Sequence, residues 1–302
     1  MLRAVCTVGV FLILAMGCGK QETTPPRNIV AERTIVIGLI PEQHIFDQVD
    51  RYKPLAEYLS KKVGARIKLK VLSRYGNIID NFVSNDMDGA FFGSLTYALA
   101  HAKLGVEAIA RPENPDGIST YCGLIFVRKD SGIRTARDMA GKRFAFVDKA
   151  TTAGYLLPLV YFNKNGIRNY RTYLKEAYFT GTHEDAIYDV LNKKADAGAA
   201  KNSIFDLFAK EDERIKKELI VLARSPDVPE NALAVKKDLD DSLKKKLKEA
   251  LLDMHNDPEG QAVLKNFGAR KFIETMDKDY EPVVKYAQEA GLNLATYDYM
   301  NE

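Results

Sequence analysis

From Thr34 onward, short apolar and β-branched runs alternate with longer amphipathic stretches, and this alternation restricts the fold more than any other property of the chain. Strands interleaved with helices build mainly parallel sheets covered by helices, an α/β architecture. Thr34–Leu39 reads as a first strand. Tyr52–Val63 reads as a helix with Leu55, Tyr58 and Leu59 on one face and Gly64 at its end. Strand Arg66–Leu72, helix Asn77–Ser84, strand Gly89–Phe92 and helix Ser94–Leu104 follow. The long β-rich run Thr120–Arg128 then carries the chain into a second series: strand Arg143–Val147, a helix from Thr151, strand Glu176–Thr180, a helix from His183, and strand Asp196–Ala200. After Ile220–Ala223 a loop with Pro226 and Pro229 leads to strand Ala232–Val235 and to charged helices expected to pack on the first series. Two lobes result, 34–122 with 226–302, and 123–225.

The N-terminus points out of the cytoplasm. Met1-Leu2-Arg3 precedes an uncharged apolar stretch from Ala4 to Gly17, shorter than the roughly 20 residues that span a bilayer and typical of a signal peptide. Leu14-Ala15-Met16-Gly17-Cys18 resembles a lipobox, with Ala15 where the pattern prefers leucine, so cleavage before Cys18 and lipidation of that residue are expected. Residues 18–33, with Pro25 and Pro26 and little apolar content, read as a tether. Removal of Cys6 and lipidation of Cys18 would leave Cys122 alone, with no intrachain disulfide. The 44 basic and 41 acidic residues are scattered. No face is built to follow a phosphate backbone, and nucleic acid is not an expected partner.

Catalytic patterns are missing from the sequence. It has no Gly-rich dinucleotide fingerprint, no phosphate loop, no nucleophile elbow and no histidine pair at metal-ligand spacing. Neither cofactor nor metal is expected, and Cys122 reads as a small buried apolar residue. What recurs is a helix start just after a strand, opening on hydroxyl or glycine residues: Gly93-Ser94-Leu95-Thr96, Thr151-Thr152-Ala153-Gly154, and Thr180-Gly181-Thr182-His183. Such starts aim free N–H groups and the positive end of the helix dipole into the crevice at the carboxyl ends of the strands, which suits an anion. Taken singly, each hydroxyl is as well explained as a cap. Thr152 stands apart, because in the pair Thr151-Thr152 one hydroxyl can cap while its neighbour and the N–H groups of Ala153 and Gly154 stay free for an anion. His183, in its helix's first turn, is placed to donate to an oxyanion or simply to face solvent.

These segments resemble the phosphate/phosphite/phosphonate-binding family of periplasmic solute-binding proteins, the receptors of ABC importers. The resemblance is carried by Tyr52-Lys53-Pro54-Leu55 with Tyr58-Leu59, and by Asp88–Ala100, Val127–Gly132, Gly141–Pro158, Phe179–Leu191 and Ala195–Ala199 in order. It implies a two-lobed periplasmic-binding-protein fold (type II) with the ligand between the lobes. The implied function is that of a non-enzymatic receptor for a small phosphorus oxyanion or organophosphonate, anchored by its lipid at the extracytoplasmic face beside an ABC permease. The same fold would serve a sensing subunit that presents its ligand to a membrane receptor or histidine kinase. Carried over by position, Tyr97 reaches the ligand from the first lobe, Thr151 and Thr152 grip its oxyanion from the second, and His183 closes the site. Ser94 stands where the family often has proline, and Ala153 where it often has serine. Ser94, Thr96, Ala153, Asn202 and Glu42 complete the candidate set. Lys201 falls where relatives would be expected to place acidic or amide groups. It reads as a surface lysine; facing the cleft, it would favour a more fully ionised oxyanion over an aminoalkylphosphonate.

Overall fold

The strands follow one another as β1 (Thr34–Leu39), β2 (Arg66–Val71), β3 (Gly89–Phe92), β4 (Glu107–Glu113), β5 (Thr120–Tyr121), β6 (Gly123–Arg128), β7 (Arg143–Phe146), β8 (Glu176–Phe179), β9 (Ala197–Lys201), β10 (Leu219–Arg224), β11 (Val228–Pro229), β12 (Ala232–Val235) and β13 (Lys271–Glu274). The structure, a computed structural model, describes residues 33–84 and 87–301. The segment read as a signal peptide, Cys18, and the tether through residue 32 lie outside the described residues.

Two sheets form the lobes. The first has six strands in the order β13-β4-β12-β3-β1-β2, and the second has five, β10-β6-β9-β7-β8. Both are mixed, where the sequence suggested mainly parallel pairing. β1 pairs in parallel with β2 and β3, and β7 with β8 and β9. β12 brings the chain back from the second lobe and therefore enters antiparallel to both β3 and β4. In the second sheet β6 likewise runs antiparallel to β9 and β10.

Side-chain alternation divides the first lobe's core into two layers. Ile35, Ile37 and Leu39 of β1, Phe91 of β3, and Leu233 and Val235 of β12 pack under helices Ile45–Val63, Asp241–Leu252 and Pro258–Phe267. Ala90 and Phe92 of β3 and Ala232 and Ala234 of β12 turn to the other side, against Leu95 and Leu99 of helix Ser94–Leu104 and Tyr280 and Val283 near helix Glu281–Glu289. The helix expected from Tyr52 begins earlier, at Ile45, and carries Pro54 inside it. The carbonyl that Pro54 cannot serve belongs to Asp50, an exposed residue, so water can satisfy it. β4 and β13 have no counterpart in the sequence reading.

The chain crosses between lobes at the antiparallel β5–β11 pair, Tyr121 opposite Val228. The β-rich run breaks at Cys122, where Asn202 takes over both backbone groups. Its Oδ1 accepts from Cys122 N at 2.9 Å, and its N–H donates to Cys122 O at 3.0 Å. The C-terminal segment forms a second link. Lys103 donates to Ala295 O at 2.9 Å, and Tyr299 Oη to Asp80 in the first lobe at 2.9 Å. Tyr297 Oη donates to Lys149 O at 3.0 Å, and Asn301 Nδ2 to Asp148 Oδ2 in the second lobe at 2.9 Å. Residues 295–301 thus tie the first lobe to the loop that opens the Thr152 helix.

Candidate functional site

The loops that follow β1, β3, β7, β8 and β9 converge on one cleft, as expected at the carboxyl ends of strands in open α/β sheets. In the second lobe the helix after β7 opens with a π-type turn, Thr152–Leu156, before continuing as an α-helix to Lys164. Thr151 makes the turn before it, its hydroxyl donating to Asp148 O at 2.6 Å. Val147 N donates across the loop to Gly154 O at 3.1 Å. The first N–H groups of the helix have no acceptor within it, and Thr151, Thr152 and Ala153 line the cleft.

The lobes are closed on each other. Leu95 N, at the start of the first lobe's helix, donates to Thr152 Oγ1 at 2.9 Å. His183 N donates to Glu42 O at 3.2 Å, and His44 N to Glu184 at 2.8 Å. Between these bonds lies a small cavity, lined among others by Glu42, Tyr75, Thr96, Tyr121, Thr151, Thr152, Ala153, His183, Lys201 and Asn231. Its free volume in this closed form is about 10 Å³, so an oxyanion fits only with the lobes slightly further apart.

Most of the residues singled out in the sequence meet at this cavity: Glu42, Thr96, Thr151, Thr152, Ala153 and His183. The other three sit elsewhere. Ser94 is buried beside it and donates to Pro229 O at 2.5 Å. Tyr97 turns away, its ring 4.3 Å from that of Tyr280 and 6.3 Å from that of Phe92. One position along a helix rotates a side chain by about 100°, so Thr96 and Tyr97 cannot face the same way. Asn202 is spent on the Cys122 backbone. Tyr75, Tyr121, Glu230 and Asn231, by contrast, belong to the site without having been candidates. Tyr75 follows the end of β2 and Asn231 precedes β12, so strand-end position was the signal available for both.

Of the buried side-chain groups that lack a partner among the described residues, two donors line this cavity, Tyr75 Oη and Asn231 Nδ2. Buried polar groups are ordinarily satisfied, so a pair of orphans on one small cavity marks where a ligand's acceptors would go. His183 offers a third donor. Its Nδ1 accepts from Lys201 N at 3.3 Å, which puts the ring proton on Nε2. Burial holds the imidazole neutral, its pKa lowered to about 3.

Lys201 is 4% exposed and reaches the cleft, contrary to the surface lysine expected. Its ammonium lies 3.0 Å from Glu42, closer still to Glu230, 3.3 Å from Asn231 Oδ1, and 4.5 Å from the centre of the Tyr121 ring. Burial alone would lower its pKa; the Glu230 and Glu42 charges override that and raise it. Burial works on Glu42 in the opposite sense, and Lys201 again prevails, holding the carboxyl below its ordinary range.

The neutral His183 predicts a particular acid response. Its folded value, about 3, lies below the ordinary 6.5, so the unfolded chain binds more protons between the two. Stability from this group is complete above about pH 6.5 and is lost as the pH falls toward 3. Between pH 7 and about 4.5 the loss should be about 2–3 kcal/mol. Thermal melts at both pH values should show a larger fall for the native chain than for His183→Gln; equal falls would contradict a neutral buried imidazole.

Known binding proteins share this fold. The chain is 26% identical over 261 residues to the phosphonates-binding periplasmic protein of Escherichia coli, covering 85% of this chain and 76% of that one. Its fold superposes with a TM-score of 0.80 on a binding-protein component of an ABC phosphonate transporter from Pseudomonas aeruginosa, 23% identical, over 86% of this chain and 87% of that one. With PhnD1 of Prochlorococcus marinus, solved in complex with methylphosphonate, the TM-score is 0.76 at 21% identity, over 86% and 98% of the two chains. The family model for the periplasmic substrate-binding protein of the phosphonate ABC transporter matches residues 37–280, most of the described chain, and the protein belongs to that family of binding proteins rather than to an enzyme family.

Proposed function

We propose that the solute captured between the lobes is a small phosphorus oxyanion, phosphite, phosphate or a short alkylphosphonate, delivered to an ABC permease. The observation that carries this reading is the pair of partnerless buried donors, Tyr75 Oη and Asn231 Nδ2, on a cavity that also holds His183 and the open start of the Thr152 helix. Donors from both lobes surround one point, so the ligand completes the closed form. Charge-assisted hydrogen bonds in a dry cleft supply the affinity. Methylphosphonate in a protein of the same fold supports the ligand class.

Family membership implies export to the periplasm, and we further propose that a lipid on Cys18 holds the protein at the membrane there, the lipobox-like Leu14–Cys18 supporting this. Mass spectrometry of the mature N-terminus should find an acylated Cys18; an unmodified one would remove the anchor. A thermal-shift screen over phosphite, phosphate, methylphosphonate and sulfate tests the ligand. A bound anion at a hundred times its Kd should stabilise the protein by about 2.7 kcal/mol. No shift with any phosphorus oxyanion would overturn the reading.

A further inference from the structure

The Lys201 cluster lies where a small cavity and a large groove meet. Glu42, Lys201 and Asn231 line both the inner cavity and an outer groove of about 630 Å³. An organic group that extends from a ligand in the cavity toward the groove along these shared walls passes beside Lys201. Two buried carboxylates, Glu42 and Glu230, converge on the one ammonium. Without Lys201 they would form an anionic pocket beside the oxyanion site, suited to a cation carried by the ligand itself.

We infer that Lys201 is a built-in occupant of an ammonium subsite, and that by filling it the chain selects compact phosphorus oxyanions against aminoalkylphosphonates. The inference rests on the ligand class proposed above and deepens it. A ligand amine would meet the like charge of Lys201, find both carboxylates engaged, and lose its hydration with nothing in return. Lys201 also offsets the two carboxylates that would otherwise repel an oxyanion. Discrimination therefore comes from a side chain that need not touch the phosphorus group.

Calorimetric titrations with methylphosphonate and 2-aminoethylphosphonate test this. The native chain should bind methylphosphonate at least about tenfold more tightly. In Lys201→Met the ratio should move toward the amine by at least about tenfold. Should the two unpaired carboxylates prevent that variant from folding, Lys201→Met/Glu230→Gln keeps Glu42 for the amine and should move the ratio in the same direction. Equal or tighter binding of 2-aminoethylphosphonate by the native chain would overturn the inference, as would an unchanged ratio in the folded variants. Failure of the native chain to bind either compound, or phosphite or phosphate, would overturn the reading of the site and the inference with it; tight binding with an unmoved ratio overturns the inference alone.

Discussion

Thr152→Val should weaken binding of the phosphorus oxyanion by about a hundredfold or more. The Thr152 hydroxyl works in two directions at once. Its oxygen accepts from Leu95 N of the opposite lobe at 2.9 Å, and its hydrogen, directed at Tyr121, can turn to a ligand in the cavity they both line. Valine keeps the shape and removes both functions. Closing the cleft would then bury the Leu95 N–H without a partner, a cost of about 1–3 kcal/mol, and the anion would lose a hydrogen bond worth roughly 1.5–3 kcal/mol. Even the lower ends together, about 2.5 kcal/mol, come close to two decades of affinity. Thr152→Ser retains the hydroxyl and should stay within a few-fold of the native chain. Titration calorimetry of the pair separates the hydroxyl from the methyl; equal affinity of the valine and serine variants would contradict the bridging role.

Gly154→Ala should damage the site through packing instead of chemistry. A Cβ at this position would stand 2.3 Å from Val147 Cβ, 2.4 Å from Val147 Cγ2 and 2.9 Å from Thr151 Oγ1. Val147 belongs to the same loop, fastened to Gly154 by its N–H. The side chain can escape the overlap only if the loop opens. Overpacking of this kind costs about 1–3 kcal/mol. Here it would also reshape the helix start that presents Thr152 and Ala153 to the cavity, so the loss of affinity should exceed the loss of stability. A melting temperature lowered by several degrees with binding intact would show that the loop's shape is not needed for the anion.

The helix starts were legible in the sequence because each is local: strand, small or hydroxyl residue, helix, within a few positions. That pattern located Thr152, Thr96 and His183 without reference to anything distant. It could not say which face of the helix Ser94–Leu104 meets the cleft, and so it did not separate Thr96 from Tyr97. Tyr75 and Asn231 arrive from loops whose roles depend on how the sheets close. Lys201 is the clearest case of this limit. A lysine at a strand end reads as solvent-facing, and the carboxylates that bury it stand 159 and 29 positions away. β4 escaped notice for a different reason. Its Glu107-Ala108-Ile109-Ala110-Arg111-Pro112-Glu113 holds a single β-branched residue and a proline, so its strand character is conferred by β12 and β13 on either side.

A structure of the protein grown with phosphite tests the central claim most directly. The phosphorus should lie in the inner cavity, with its oxygens about 2.6–3.2 Å from Thr152 Oγ1, Tyr75 Oη and His183 Nε2. Lys201 should remain paired with Glu42 and Glu230. An anion seated in the outer groove, or one in the cavity that leaves Tyr75 and His183 without a hydrogen bond, would contradict the account.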